Sequence, residues 1–295
     1  SQAHDVMKLN RLFRGRIVEA TVSTMLGCML VLILVFLIDR APAVSEPNPW
    51  RELDDGLFVG EFNPIQKPAA DTAGILIVRV DPRKYSFKLL SASENGGKKM
   101  SVKEWADQHG LVAALNAGMY QTDGTTSVGY MKNFKHINNG RLNRNNAVLA
   151  FNPVDASVPP IQIIDRESQS FGELKGKYHS FVQSIRMVTS DQKNVWSRQD
   201  DGWSTLAIGM DKEHRVLLIF SQKPHPVHDL IEVLLSMPIS IYNAMYLEGG
   251  PQASLYLATR SGTIERYGGW DGSPDGQNPI QISWPIPNVI GIARK

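Results

Sequence analysis

Apolar residues recur along this chain at three different spacings, and each spacing predicts a different kind of element. Residues 20–38, ATVSTMLGCMLVLILVFLI, form one continuous uncharged run, about long enough for a helix to cross a bilayer once. Downstream the apolar residues fall into short runs crowded with β-branched side chains, which predicts strands. GILIVRVDP (74–82) and YSFKLLSAS (85–93) read as a paired hairpin around Asp81-Pro82. NAVLAFNP (146–153), SFVQSIRMV (180–188), STLAIGMD (204–211) and RVLLIFSQ (215–222) read as further strands. Two segments have helical spacing instead. In SVKEWADQHG (101–110), Ser101 and Glu104 form a capping-box signal and Gly110 a stop. In the segment around HDLIEVLLSM (228–237), Val227, Leu230, Ile231, Leu234 and Leu235 line one face. The pattern predicts an α+β domain built on a mixed β-sheet with packed helices, preceded by one N-terminal transmembrane helix.

Two apolar runs end in glycine-rich turns: LVAALNAGMYQTDGTTSVGY (111–130) and IYNAMYLEGGPQASLYL (241–257). A buried strand that ends in Asn116 or Glu248 and meets glycine at once presents a polar side chain at a sheet's end, where backbone can approach a ligand closely. Two such ends are able to form one site.

These segments resemble the phosphodiester glycosidase family, which pairs an Asn-x-Gly-aromatic turn with a later carboxylate-Gly-Gly turn preceded by an amphipathic helix. The matching residues are Asn116, Gly118, Tyr120, Glu248, Gly249 and Gly250, and the ending WPIPNVIGIA (284–293) is similar to the family's closing strand. The family commonly has Asp where this chain has Glu248, followed by a Ser-containing small-residue stretch where this chain has PQAS (251–254). The resemblance implies hydrolysis of a sugar-1-phosphodiester, with Glu248 and Asn116 as catalytic residues. Lys132, Arg186 and His225 lie in or beside stretches that resemble the family's site loops, where they would bind the departing phosphate.

Charge separates the chain into parts. Lys8, Arg11, Arg14 and Arg16 precede the long apolar run, whereas Asp39 and Arg40 cancel after it, so the positive-inside bias places the N-terminus in the cytoplasm. The expected organisation is a cytoplasmic stub (1–19), a membrane helix (20–38), a Pro-rich linker (39–52) and an extracytoplasmic folded domain (53–295), periplasmic in a Gram-negative bacterium. Ala41-Pro42-Ala43 offers a processing site as the alternative to an uncleaved anchor. Cys28 sits inside the apolar run instead of after it, which argues against lipidation. Five of the 31 basic and three of the 29 acidic residues fall in the first forty, leaving 26 of each outside. No basic field exists to draw nucleic acid. Cys28 is the single cysteine, so the domain has neither disulfides nor a thiol nucleophile.

Each candidate also has a structural reading. Glu248 would otherwise be a solvated strand-end carboxylate, and Asn116 the cap of its own turn. Arg186 stands in the apolar context QSIRMV, where an unpaired guanidinium would be costly. His225, His228 and Glu232 imitate a helical metal site but lack a third clear ligand, so no metal is assigned. YGGWDGSPDGQN (267–278) holds Asp271 and Asp275 among glycines, a weak calcium signal without the full ligand spacing. Trp203 and Trp270 sit in polar contexts suited to sugar stacking. No Rossmann or P-loop pattern implies a cofactor. The expected partners are a glycan or sugar-phosphate substrate and, through the N-terminal helix, a membrane. Two other readings stay open: a non-catalytic glycan-binding or polysaccharide-assembly factor that retains the fold, and a hydrolase of ordinary glycosidic bonds with Asp123 or Asp271 as a second carboxylate.

Overall fold

The computed structural model describes residues 48–63, 74–269 and 282–295. Residues 1–47, on which the expected stub, membrane helix and most of the linker fall, and Trp270, Asp271 and Asp275 lie outside the described residues. Among the described residues no helix is long and apolar enough to cross a membrane.

The α+β expectation is overturned. The described residues form seventeen strands in three sheets, with only three short α-helices. Every strand pair is antiparallel, so the sheet is not mixed either. Both helices expected from the spacing are present: α1 (Val102–His109), and α3 (Val227–Ser236) beyond a single-turn α2 (Phe171–Leu174). They cover sheet faces and do not form a layer of their own. Several strands carry no sequence signal because they are short and polar. β6 (Met131–Asn133), β7 (His136–Asn139) and β16 (Gly262–Tyr267) show no apolar alternation.

The largest sheet runs β1 (Trp50–Asp54), β2 (Leu57–Phe62), β3 (Ile75–Val80), β13 (Val216–His225), β12 (Trp203–Asp211), β14 (Ile241–Gly249) and β11 (Arg186–Val188). A second sheet orders β16, β15 (Ser254–Thr259), β5 (Ala113–Asn116), β17 (Asn288–Arg294) and β4 (Tyr85–Ser91). A third orders β7, β6, β10 (Tyr178–Ser184), β8 (Ala147–Pro153) and β9 (Ile161–Asp165). The expected β3–β4 hairpin is therefore split. A turn at Asp81 joins the two strands, but β3 pairs with β2 and β13 while β4 pairs with β17 in another sheet. Likewise the run 180–188 is two strands, β10 and β11, which belong to different sheets.

Strand alternation decides what each face buries. Along β13, Val216, Leu218 and Phe220 enter a core shared by all three sheets, while Leu217 and Ile219 face outward beneath α3. There they meet Val227, Leu230, Ile231 and Leu234, the stripe that the helical spacing marked. Outside the second sheet, Val102, Trp105 and Ala106 of α1 pack with Ala114 and Val289. The capping box at Ser101 and the left-handed Gly110 (φ 60°) bound this helix as the sequence indicates.

Candidate functional site

The chain leaves the first sheet at the end of β14, turns through a single 3-10 turn (Gly250–Gln252), and enters the second sheet as β15 beside β5. That crossing carries Glu248 to the end of β5, where Asn116 stands. A β-bulge aims it. Leu206 opposes Glu248 and Ala207 opposes Tyr246, so β14 spends two residues where β12 spends one. Glu248 thus lies opposite Leu206, whose side chain enters the shared core, and not on the outward face that Tyr246 occupies. Bulges re-aim side chains in this way next to functional sites.

Asn116 organises the junction. Its Nδ2 donates to the Gln252 carbonyl at 3.2 Å and to Glu248 Oε2 at a long 3.5 Å, while its Oδ1 accepts from the Gly118 N–H at 2.9 Å. Asn116 is fully buried and Glu248 is 6% exposed. Glu248 Oε1 accepts from the Gly249 N–H at 3.0 Å. Burial pushes the Glu248 carboxyl up to about 7, and the two hydrogen bonds only partly oppose it. No cation forms an ion pair with Glu248 among the described residues. A buried carboxyl that titrates near neutrality can serve as proton acceptor or as nucleophile at physiological pH.

The glycines have separate reasons. Gly118 adopts φ +135° and Gly250 φ +63°, conformations that side chains resist. A Cβ at Gly249 would overlap the Tyr246 hydroxyl and the Trp203 indole. Trp203 Nε1 donates to the Tyr246 hydroxyl at 3.0 Å, so these two rings wall the turn. Burial first, and the Glu248 charge second, raise the phenols of Tyr246 and Tyr120. Tyr246 was missed by sequence reasoning, although its place two residues before Glu248 was the available signal. Trp203, whose polar sequence context suits stacking, packs against Gly249 through strand register, which the sequence does not reveal.

The other candidates divide. His225 opposes Trp203 at the end of β13 and so lies at the same end of the sheet; burial, then Lys223, holds its imidazole below the usual value. Arg186 is engaged elsewhere, donating to Asp165 at 2.6 and 2.8 Å and to Glu167 at 2.5 Å. Burial opposes its charge, but the two carboxylates prevail and raise its pKa. Lys132 opposes Phe181, which packs in the cluster with Tyr130, Phe171 and Tyr178, whereas neighbouring Val182 faces Gly118 from the other side. The structure does not bring Lys132 or Arg186 to Glu248. Asp123 holds an exposed turn, accepting from the Thr125 and Thr126 N–H groups at 2.9 Å. Glu232 binds Asn194 and His228 contacts Asp229, and no metal-holding group of His, Cys, Asp or Glu occurs among the described residues.

The phosphodiester glycosidase family model matches residues 109–293. The chain belongs to the phosphodiester glycosidase family. Its matched region spans α1's last residue to β17 and includes both turns at the site. The structure is similar to the catalytic domain of zebrafish N-acetylglucosamine-1-phosphodiester alpha-N-acetylglucosaminidase auto-inhibited by its pro-peptide, with a TM-score of 0.57 at 15% identity over 83% of this chain and 86% of that one. It is also similar to a hypothetical protein from Synechocystis, with a TM-score of 0.57 at 14% identity over 86% of this chain and 65% of that one. These likenesses concern the fold. No curated protein matches the chain by sequence.

Proposed function

We propose that the protein hydrolyses a sugar-1-phosphodiester at its anomeric carbon, in envelope or extracellular polysaccharide, with its folded domain held outside the cytoplasm by the apolar run 20–38. The observation that carries the chemistry is the Glu248 carboxyl, buried, free of any ion pair among the described residues, and pushed up to about 7. The bond between the anomeric carbon and the phosphate oxygen breaks, and its electron pair leaves on a phosphate monoester that needs little protonation. The cationic sugar then takes the oxygen of water. A single carboxylate suffices for this, either receiving the water's proton or attacking the carbon first. Asn116 holds that carboxylate against the β5 end, and the glycines let the substrate's backbone-facing oxygens approach. Tyr120, whose phenol feels the Glu248 charge, adds an aromatic ring near the carboxylate.

Bond position is the test. The purified protein, given an N-acetylglucosamine-1-phosphodiester in ¹⁸O-labelled water, places the label on the released sugar and none on the phosphate. Label on the phosphate would mean attack at phosphorus and end this reading.

A second reading is a glycan-binding protein without catalysis. The burial of Asn116 and all but 6% of Glu248 favours it. Such a protein binds glycan with no turnover at any pH.

A further inference from the structure

The β6–β7 hairpin carries a feature that this chemistry does not use. Its two-residue loop is Phe134-Lys135, between the paired Asn133 and His136. Phe134 has φ 49°, a left-handed conformation that such loops normally give to Gly, Asn or Asp. Phe134 is 51% exposed, and its ring lies nearly parallel to that of His179, with ring centroids 4.9 Å apart at 16°. Single exposed apolar residues are ordinary. A bulky ring held in a strained turn and stacked on a second ring is not, and such outliers point toward sites. The two rings line an open pocket of about 630 Å³ whose other walls are Glu94, Lys135 and His136.

The pocket is fixed to the candidate site. Asn138 of β7 accepts from the Ser127 N–H at 2.7 Å and donates to the Thr125 carbonyl at 3.1 Å. Ser127 pairs in turn with Tyr120, whose phenol feels the Glu248 charge. Flat aromatic faces accept the apolar C–H face of a pyranose, while surrounding polar groups bind its hydroxyls. The exposed Lys135 ammonium suits a phosphate.

We infer that this pocket is an accessory subsite that takes a pyranose on the Phe134–His179 stack and an adjoining phosphate at Lys135, so that the substrate is a sugar-phosphate polymer and not a small diester. The inference rests on the proposed chemistry for its ligand class, but the pocket and the Glu248 site are separable by experiment.

The full chain in detergent micelles is given two probes: a short poly(N-acetylglucosamine 1-phosphate), and the methyl diester of the monomer. Phe134→Asn, whose new residue suits the turn, and Lys135→Ala are expected to raise the KM for the polymer about tenfold while leaving kcat and all monomer parameters unchanged. An unchanged polymer KM, or an equal loss on both probes, overturns the subsite. Should the wild-type protein cleave neither probe, the catalytic reading fails, and equilibrium binding of the polymer decides the subsite alone. Binding weakened about tenfold by Phe134→Asn then supports it. Binding unaffected by the substitution, or no binding by the wild type, overturns it.

Discussion

The Asn116 amide lies 3.5 Å from the Glu248 carboxylate across 132 residues of sequence, joined where the ends of two different sheets meet. Asn116 donates to the carboxylate and also accepts from the buried Gly118 N–H. Asn116→Ala removes both bonds, together with the one to the Gln252 carbonyl. The orphaned N–H is expected to cost about 1–3 kcal/mol of stability by urea unfolding. Loss of a donor to the charged form also raises the Glu248 pKa further, so the midpoint of the rising limb of the pH–rate profile moves to higher pH. A variant with an unmoved midpoint would separate Asn116 from the carboxylate.

Glu248 should destabilise the fold that holds it. Its carboxyl lies near 4.5 in the unfolded chain and about 7 in the folded one. The folded state therefore binds more protons between these values, and stability falls as pH rises through that window, with the whole penalty present above 7. Glu248→Gln does not titrate. Its stability relative to the wild type is expected to be near zero at pH 4 and to grow to about 3 kcal/mol at pH 8, measured by urea unfolding at both. A difference that is independent of pH would mean that burial does not perturb the carboxyl.

Much of this site was legible because it sits at strand ends marked by glycine. Asn116 and Glu248 each close an apolar run, Gly118 and Gly250 adopt positive φ that side chains resist, and Gly249 has no room for a Cβ. The helices were legible too, since Leu230, Ile231 and Leu234 repeat with the helical period and Ser101 and Glu104 cap reciprocally. What failed was non-local. Nothing in GILIVRVDP says that β3 and β4 part at Asp81 into separate sheets, because pairing partners are fixed by residues far along the chain. The bulge that turns Glu248 is likewise a relation between β12 and β14. The surroundings of Lys132 and Arg186 were not legible for the same reason. A cation's partner is set by register, and Arg186 found Asp165 on β9.

Gly249 is a packing requirement as well as a turn. Gly249→Ala places a methyl group against the Tyr246 hydroxyl and the Trp203 indole, and overpacking of this kind costs about 1–3 kcal/mol. Combining it with Tyr246→Phe removes part of the overlap. The double variant is expected to be more stable than the sum of the single changes, and strict additivity would show that the overlap is relieved elsewhere.

Arg186 separates stability from binding. Its guanidinium and the Asp165 carboxylate are both nearly buried, with side-chain exposures of 11% and 6%. Arg186→Met strands the carboxylate and is expected to cost about 3–5 kcal/mol. The fraction that remains folded should turn over substrate with wild-type KM. A raised KM in folded protein would return Arg186 to the substrate.

The central claim is that the Glu248 charge performs the chemistry, and the most direct measurement is the rate of free-sugar release from an N-acetylglucosamine-1-phosphodiester by the wild type and Glu248→Gln at pH 8, with melting temperatures recorded alongside. The account predicts that the wild type turns over and that the variant, at least as stable, falls by several kcal/mol of barrier, each ~1.4 kcal/mol being tenfold in rate. Full activity in a folded Glu248→Gln would contradict it.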